Sequence, residues 1–252
     1  VTASDLQPVY KGNTMHKYAD DTYLVVPAVN QQSCSSEIDN IEEWAEVNNL
    51  ALNRNKSVEI VFVAPRSRRV VDIPPPAIPS IARVDTIKAL GVTFSRTFSV
   101  KQHVENLLPA CAQTTFTLRT LRQHGMPISS LHAIFQATVV AKLSYASPAW
   151  WGFANEADLN RLESFLRRSA RLGYRDMTGR SLSETCELAD QKLFDGITNN
   201  PSHLLHPLLP PKRIQPYSLR QRSHSFILPA PTTSLKDNTL STEYFLKTTL
   251  FH

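Results

Sequence analysis

Two adjacent aspartates, Asp20 and Asp21, stand between two stretches that both favour β-strand, and no other feature limits local folding so sharply. Asp is depleted in strand interiors, so the pair must occupy a turn. The pattern predicts a hairpin with strands near 14–19 and 22–26. Gly12-Asn13 leads into it and Pro27 closes it. Like charges held so close repel unless a cation sits between them, and hard carboxylate oxygens suit Mg²⁺ or Mn²⁺. An Asp-Asp pair at a hairpin tip is also ordinary turn chemistry. The residues themselves leave both readings open.

Downstream, residues 35–49 read as an amphipathic helix. Ile38, Ile41, Trp44 and Ala45 recur at three- and four-residue intervals, while Glu37, Asp39, Glu42, Glu43 and Glu46 fall on the other side. Trp44 reads as core packing. A strand over 58–63 follows, with Lys56 just ahead of it. Residues 65–85 are rich in Arg and Pro and exclude a helix. They read either as a ribbon presenting Arg66, Arg68 and Arg69 or as an exposed loop. Residues 86–94 predict a strand with Gly91 inside it, as a bulge or a point of close backbone approach.

From Ser99 the pattern turns helical. An apolar stripe through Val104, Leu107, Leu108, Cys111, Thr115, Leu118 and Leu121 is stopped by Gly125 and Pro127, and Pro109 should kink the helix or split it in two. A second helix is expected over 129–145. A third, over 156–172, buries Leu159, Leu162 and Phe165 and presents Arg161, Arg167, Arg168 and Arg171. Trp150 and Trp151 read as packing residues. A further short helix is expected over 181–194. Seven prolines beyond residue 200 then predict extended segments and isolated turns, with one short helix near 242–250.

The run Tyr18-Ala19-Asp20-Asp21 followed by Thr22-Tyr23-Leu24-Val25-Val26-Pro27 resembles motif C of reverse transcriptases, specifically those of non-LTR (LINE, jockey-like) retrotransposons. The spacing of Trp44, Asn48-Asn49-Leu50, Leu52-Asn53 and Lys56-Ser57 resembles motif D, and Leu90-Gly91-Val92 resembles motif E. A helical thumb comes next, and Leu219-Arg220-Gln221-Arg222 is similar to the basic segment found after it.

The resemblance implies an α+β fold. Residues 1–98 would be a partial palm, an antiparallel hairpin and strands with one packed helix. Residues 99–175 would be an α-helical thumb bundle, and 176–252 a helix followed by an irregular Pro-rich tail. It implies an RNA-directed DNA polymerase, a nucleotidyltransferase using two Mg²⁺ (or Mn²⁺) ions held in part by Asp20 and Asp21. RNA template, DNA primer and dNTP would be its partners in the intact protein. Lys56 would be the general acid and phosphate contact, or else a surface lysine at a strand entrance. Tyr18, Ala19, Leu90 and Gly91 would touch primer, and Arg66, Arg68 and Arg69 would hold nucleic acid.

Motif A supplies the third carboxylate in that family, on the strand beside the hairpin. Only Asp5 is acidic upstream of Tyr18, and it matches no such motif. With Val1 in place of an initiator Met, the chain reads as a fragment that is inactive alone. The alternative reading is a degenerate remnant that only binds nucleic acid.

Charge distribution agrees with a polyanion partner. Residues 1–53 hold two Lys or Arg against eight acids, whereas 54–122 hold eleven against four. No apolar run reaches membrane-spanning length. Cys34, Cys111 and Cys186 are too dispersed for a Cys-x-x-Cys cluster, which points to a reducing compartment. The family resemblance implies a nuclear or ribonucleoprotein location.

Overall fold

The strand-favouring runs beside Asp20 and Asp21 pair with each other in a computed structural model, which describes residues 4–63, 76–212 and 226–227, together with the backbone of 243–251. The chain is a mixed α and β protein. It divides into two compact units, one of residues 1–103 with 235–252, the other of residues 104–234.

In the first unit, β1 (Thr14–Tyr18) and β2 (Asp21–Pro27) form an antiparallel hairpin closed by the pair Tyr18↔Asp21. A 3₁₀ turn leads to α1 (Cys34–Val47), then β3 (Ala51–Leu52), β4 (Val58–Phe62) and β5 (Ala82–Arg83). Next come β6 (Thr86–Ala89) and β7 (Val92–Ser95), a separate two-stranded sheet. The main sheet runs β1-β2-β8-β4-β5, where β8 is Glu243–Phe251 and also pairs with β3.

Strand alternation sends Leu24, Val26 and Val61 to one face, where they pack with Ile38, Ile41 and Ala45 of α1. Trp44 packs against this core, and its indole N–H donates to Asp5 at 3.0 Å. Ile60 and Phe62 go to the other face and meet Ile87, with Phe94 and Phe98 beside them. The Phe62 and Phe98 rings stack at 4.2 Å. Glu59 is buried on β4 and receives a two-nitrogen fork from Arg83, each bond 2.9 Å, which fastens β5 to the sheet.

The second unit is helical: α2 (Lys101–Gln123, whose first residues lie in the other unit), α3 (Ile128–Phe135), α4 (Ala141–Ser144), α5 (Ser147–Trp150), α6 (Glu156–Arg171) and α7 (Leu182–Asn199). Leu118, Leu131, Phe135, Leu143, Trp150, Leu162 and Leu166 are fully buried. Helix ends follow their sequence signals. Gly125 and Gly173 sit at φ +84° and +78°, and the amides after them close back onto Leu121 and Ser169. Ser181 and Glu184 form a reciprocal capping box at the start of α7.

Several expectations are corrected. Pro109 does not split α2, which runs continuously through it; a proline there costs one backbone hydrogen bond, and the buried residues on both sides hold the helix together. The helix expected over 129–145 holds a π-helical turn at Gln136–Val140. The run 86–94 is two strands about a turn, not one strand with a bulge. Glu37, placed on the solvent side by periodicity, is fully buried. The tail is not irregular throughout, and the helix expected near 242–250 is strand β8. Its aromatic and Thr-rich composition suits a pleated surface, and the gap between β2 and β4 supplies hydrogen-bond partners on both sides.

Candidate catalytic hairpin and nucleic-acid surface

The hairpin turn is the two-residue link Ala19-Asp20. Ala19 sits at φ +55°, a left-handed conformation that costs an L-residue with a Cβ roughly 1–2 kcal/mol. Strain of this kind persists only where the flanking ladder enforces it. The five paired positions from Thr14↔Val25 to Tyr18↔Asp21 do so. Asp20 is exposed at the tip and Asp21 is half-buried at the first position of β2. The Tyr23 hydroxyl donates to Asp21 Oδ2 at 3.1 Å, two residues along the same strand. Tyr18 is exposed beside the turn, at 65 %.

Two lysines of the first unit occupy different environments. Lys17, on β1, turns its amine back to the Leu6 carbonyl, and burial pushes its pKa down against the opposing pull of Asp5. Lys56 is exposed in the turn between β3 and β4. The ladders place Asp21 opposite Thr249 and Val58 opposite Lys247. The turn carrying Lys56 therefore lies at the same end of the sheet as the hairpin tip, beyond β8.

As a cation site, the tip offers two adjacent carboxylates. Mg²⁺ is often bound by one or two carboxylates, with water and phosphate oxygens completing the octahedron, and carboxylate oxygens are the donors such an ion takes. Among the described residues no group of three or more His, Cys, Asp or Glu converges on one point.

Leu90 and Gly91 form the two-residue turn of the β6–β7 hairpin, both at positive φ, +45° and +92°. That geometry is the type I′ turn, which matches strand twist but strains Leu90. Arg66, Arg68 and Arg69 lie outside the described residues, as does Leu219-Arg220-Gln221-Arg222.

In the helical unit, α2 and α6 border a groove of about 530 Å³ lined by Leu108, Pro109 and Phe165, with Glu105, Arg161 and Arg168 among its polar residues. Arg161 also bonds the buried Asp158 at 3.0 Å. Arg122 is committed elsewhere: it lies over the Tyr174 ring and donates to the Leu172 carbonyl at 2.6 Å, capping α6.

Periodicity missed Glu37. Its carboxylate accepts from the Val9 and Tyr10 amides at 3.1 and 2.9 Å and from Asn13 Nδ2 at 2.7 Å. It thereby fixes the segment that leads into β1. Only the unpartnered backbone donors of residues 9 and 10, which no sequence pattern marks, could have signalled it.

Comparison with protein-family models, with curated proteins and with solved structures gives no match to this chain. No helix among the described residues is long and apolar enough to cross a membrane.

Proposed function

We propose that the chain is the later part of the palm, with the thumb, of a reverse transcriptase of the non-LTR retrotransposon kind, acting in RNA-directed DNA synthesis. The observation that carries this reading is the Tyr18-Ala19-Asp20-Asp21 tip, with Asp20 in a strained two-residue turn and Asp21 at the start of β2, at the rim of a sheet. Support comes from the order of the elements after the tip: a helix packed on that sheet, strand β4, a Leu90-Gly91 hairpin, then a helical unit bearing arginines.

Asp20 and Asp21 would hold Mg²⁺. When bound, the metal supplies activation of the primer 3′-hydroxyl and charge neutralisation at the leaving pyrophosphate. Lys56, at the same sheet end, would contact phosphate, and Leu90-Gly91 would lie against the primer. The strained turn holds the carboxylates in place before substrate arrives, which lowers the reorganisation needed on binding.

A second reading, a module that only binds nucleic acid, is favoured by the arginines on α6 and the groove beside them.

Both readings predict binding to an RNA–DNA duplex that weakens with rising salt, and they part at the hairpin. Terbium luminescence sensitised by nearby tyrosine, competed with Mg²⁺, should report a site that Asp20→Asn weakens at least tenfold. Equal terbium binding by wild type and Asp20→Asn would overturn the polymerase reading and leave the binding module. Primer extension by the 252-residue chain is expected to be absent. Extension that Asp20→Asn abolishes would overturn that expectation.

A further inference from the structure

The middle strand of the main sheet comes from the far end of the sequence, with the whole unit of residues 104–234 between β7 and β8. β8 pairs with β2 along Asp21–Pro27 and with β4 along Val58–Phe62, and these two strands do not pair with each other. Without β8, both would present open edges at the centre of the sheet, beside the buried Leu24, Val26, Ile60 and Val61. An open apolar edge of that kind is a template for another strand.

We propose that the gap between β2 and β4 is a strand-acceptor site, and that residues 243–251 of a second copy of this chain can occupy it to give a strand-exchanged dimer. The ladders that hold β8 in its own sheet can all form again between copies, because the donated strand has the same sequence and register. The connection over residues 200–242 does not forbid exchange. Past the Lys212↔Phe226 bridge, residues 228–242 can span up to about 50 Å when extended. Donation to one's own sheet and donation to a neighbour then compete by concentration, with the tethered strand ahead when the protein is dilute.

Val25 and Phe245 are direct cross-strand partners, at a Cα spacing that a disulfide can bridge. The 252-residue chain as Val25→Cys and as Phe245→Cys would be unfolded, mixed at high concentration and refolded together under mild oxidation. Linked peptides would then be identified by mass spectrometry. The expected result is a disulfide-linked dimer carrying the 25–245 link, alongside an intramolecular link in the double variant. A double variant that closes while the mixture gives no linked dimer would overturn strand exchange. Failure of the double variant to close would overturn the acceptor site itself. The pair Thr22→Cys and Thr248→Cys repeats the test at another rung should the first pair fail to fold.

Discussion

Glu37 shows how one buried carboxylate can organise a segment. Three donors converge on it, two of them main-chain amides with no ladder partner, so its charge is offset by hydrogen bonds. Glu37→Gln puts an amide donor where the site needs acceptors, and should lower the stability of the first unit by about 2 kcal/mol, read as a shift in urea midpoint. A second prediction rests on thiols. Cys111 and Cys186 are fully buried, and burial pushes each up to about 11. In the unfolded chain these thiols ionise near 9, so the folded state keeps protons that the unfolded state releases. Stability should therefore fall as pH rises from about 9 to about 11, and a chain with Cys111→Ala and Cys186→Ala should show a smaller fall.

Among the elements, both two-residue hairpin turns hold a strained residue, Ala19 in one and Leu90 in the other. Leu90 adopts φ +45° in a turn where Asn is better suited. It is 45 % exposed, so replacement gives up only part of a leucine's burial. Leu90→Asn should raise stability by about 0.5–1 kcal/mol in thermal or urea unfolding, and an unchanged or lowered midpoint would show that Leu90 contacts outweigh turn strain. Helices were readable because their signals are local. The expected end at 172 and the expected start at 181 each lie within one residue of α6 and α7 in the structure, where Gly173 and the Ser181–Glu184 capping box close the helices. The β6–β7 hairpin was less readable, since Leu90-Gly91 is not a common turn pair and Gly91 read as a bulge or close approach within one strand. At the candidate site the hairpin was legible but its register was one residue off: Asp20 is in the turn, whereas Asp21 opens β2 as the ladder partner of Tyr18.

For the molecule as a whole, the first unit depends on residues that lie beyond the second. Removing residues 235–252 takes away β8, and with it both ladders at the sheet centre. The shortened chain should lose the cooperative unfolding of the first unit while keeping most helical circular dichroism from residues 104–199. Retention of both transitions would show that β2 and β4 close on each other. Turn chemistry, helical period and caps act over a few residues, and they were enough to specify the hairpin tip, the amphipathic face of α1 and the extents of α6 and most of α2 from sequence. The burial of Glu37 and the use of residues 243–251 as the middle strand were settled by long-range packing instead. Both arise from unpaired backbone groups on distant segments that need a partner, a demand that local pattern does not record.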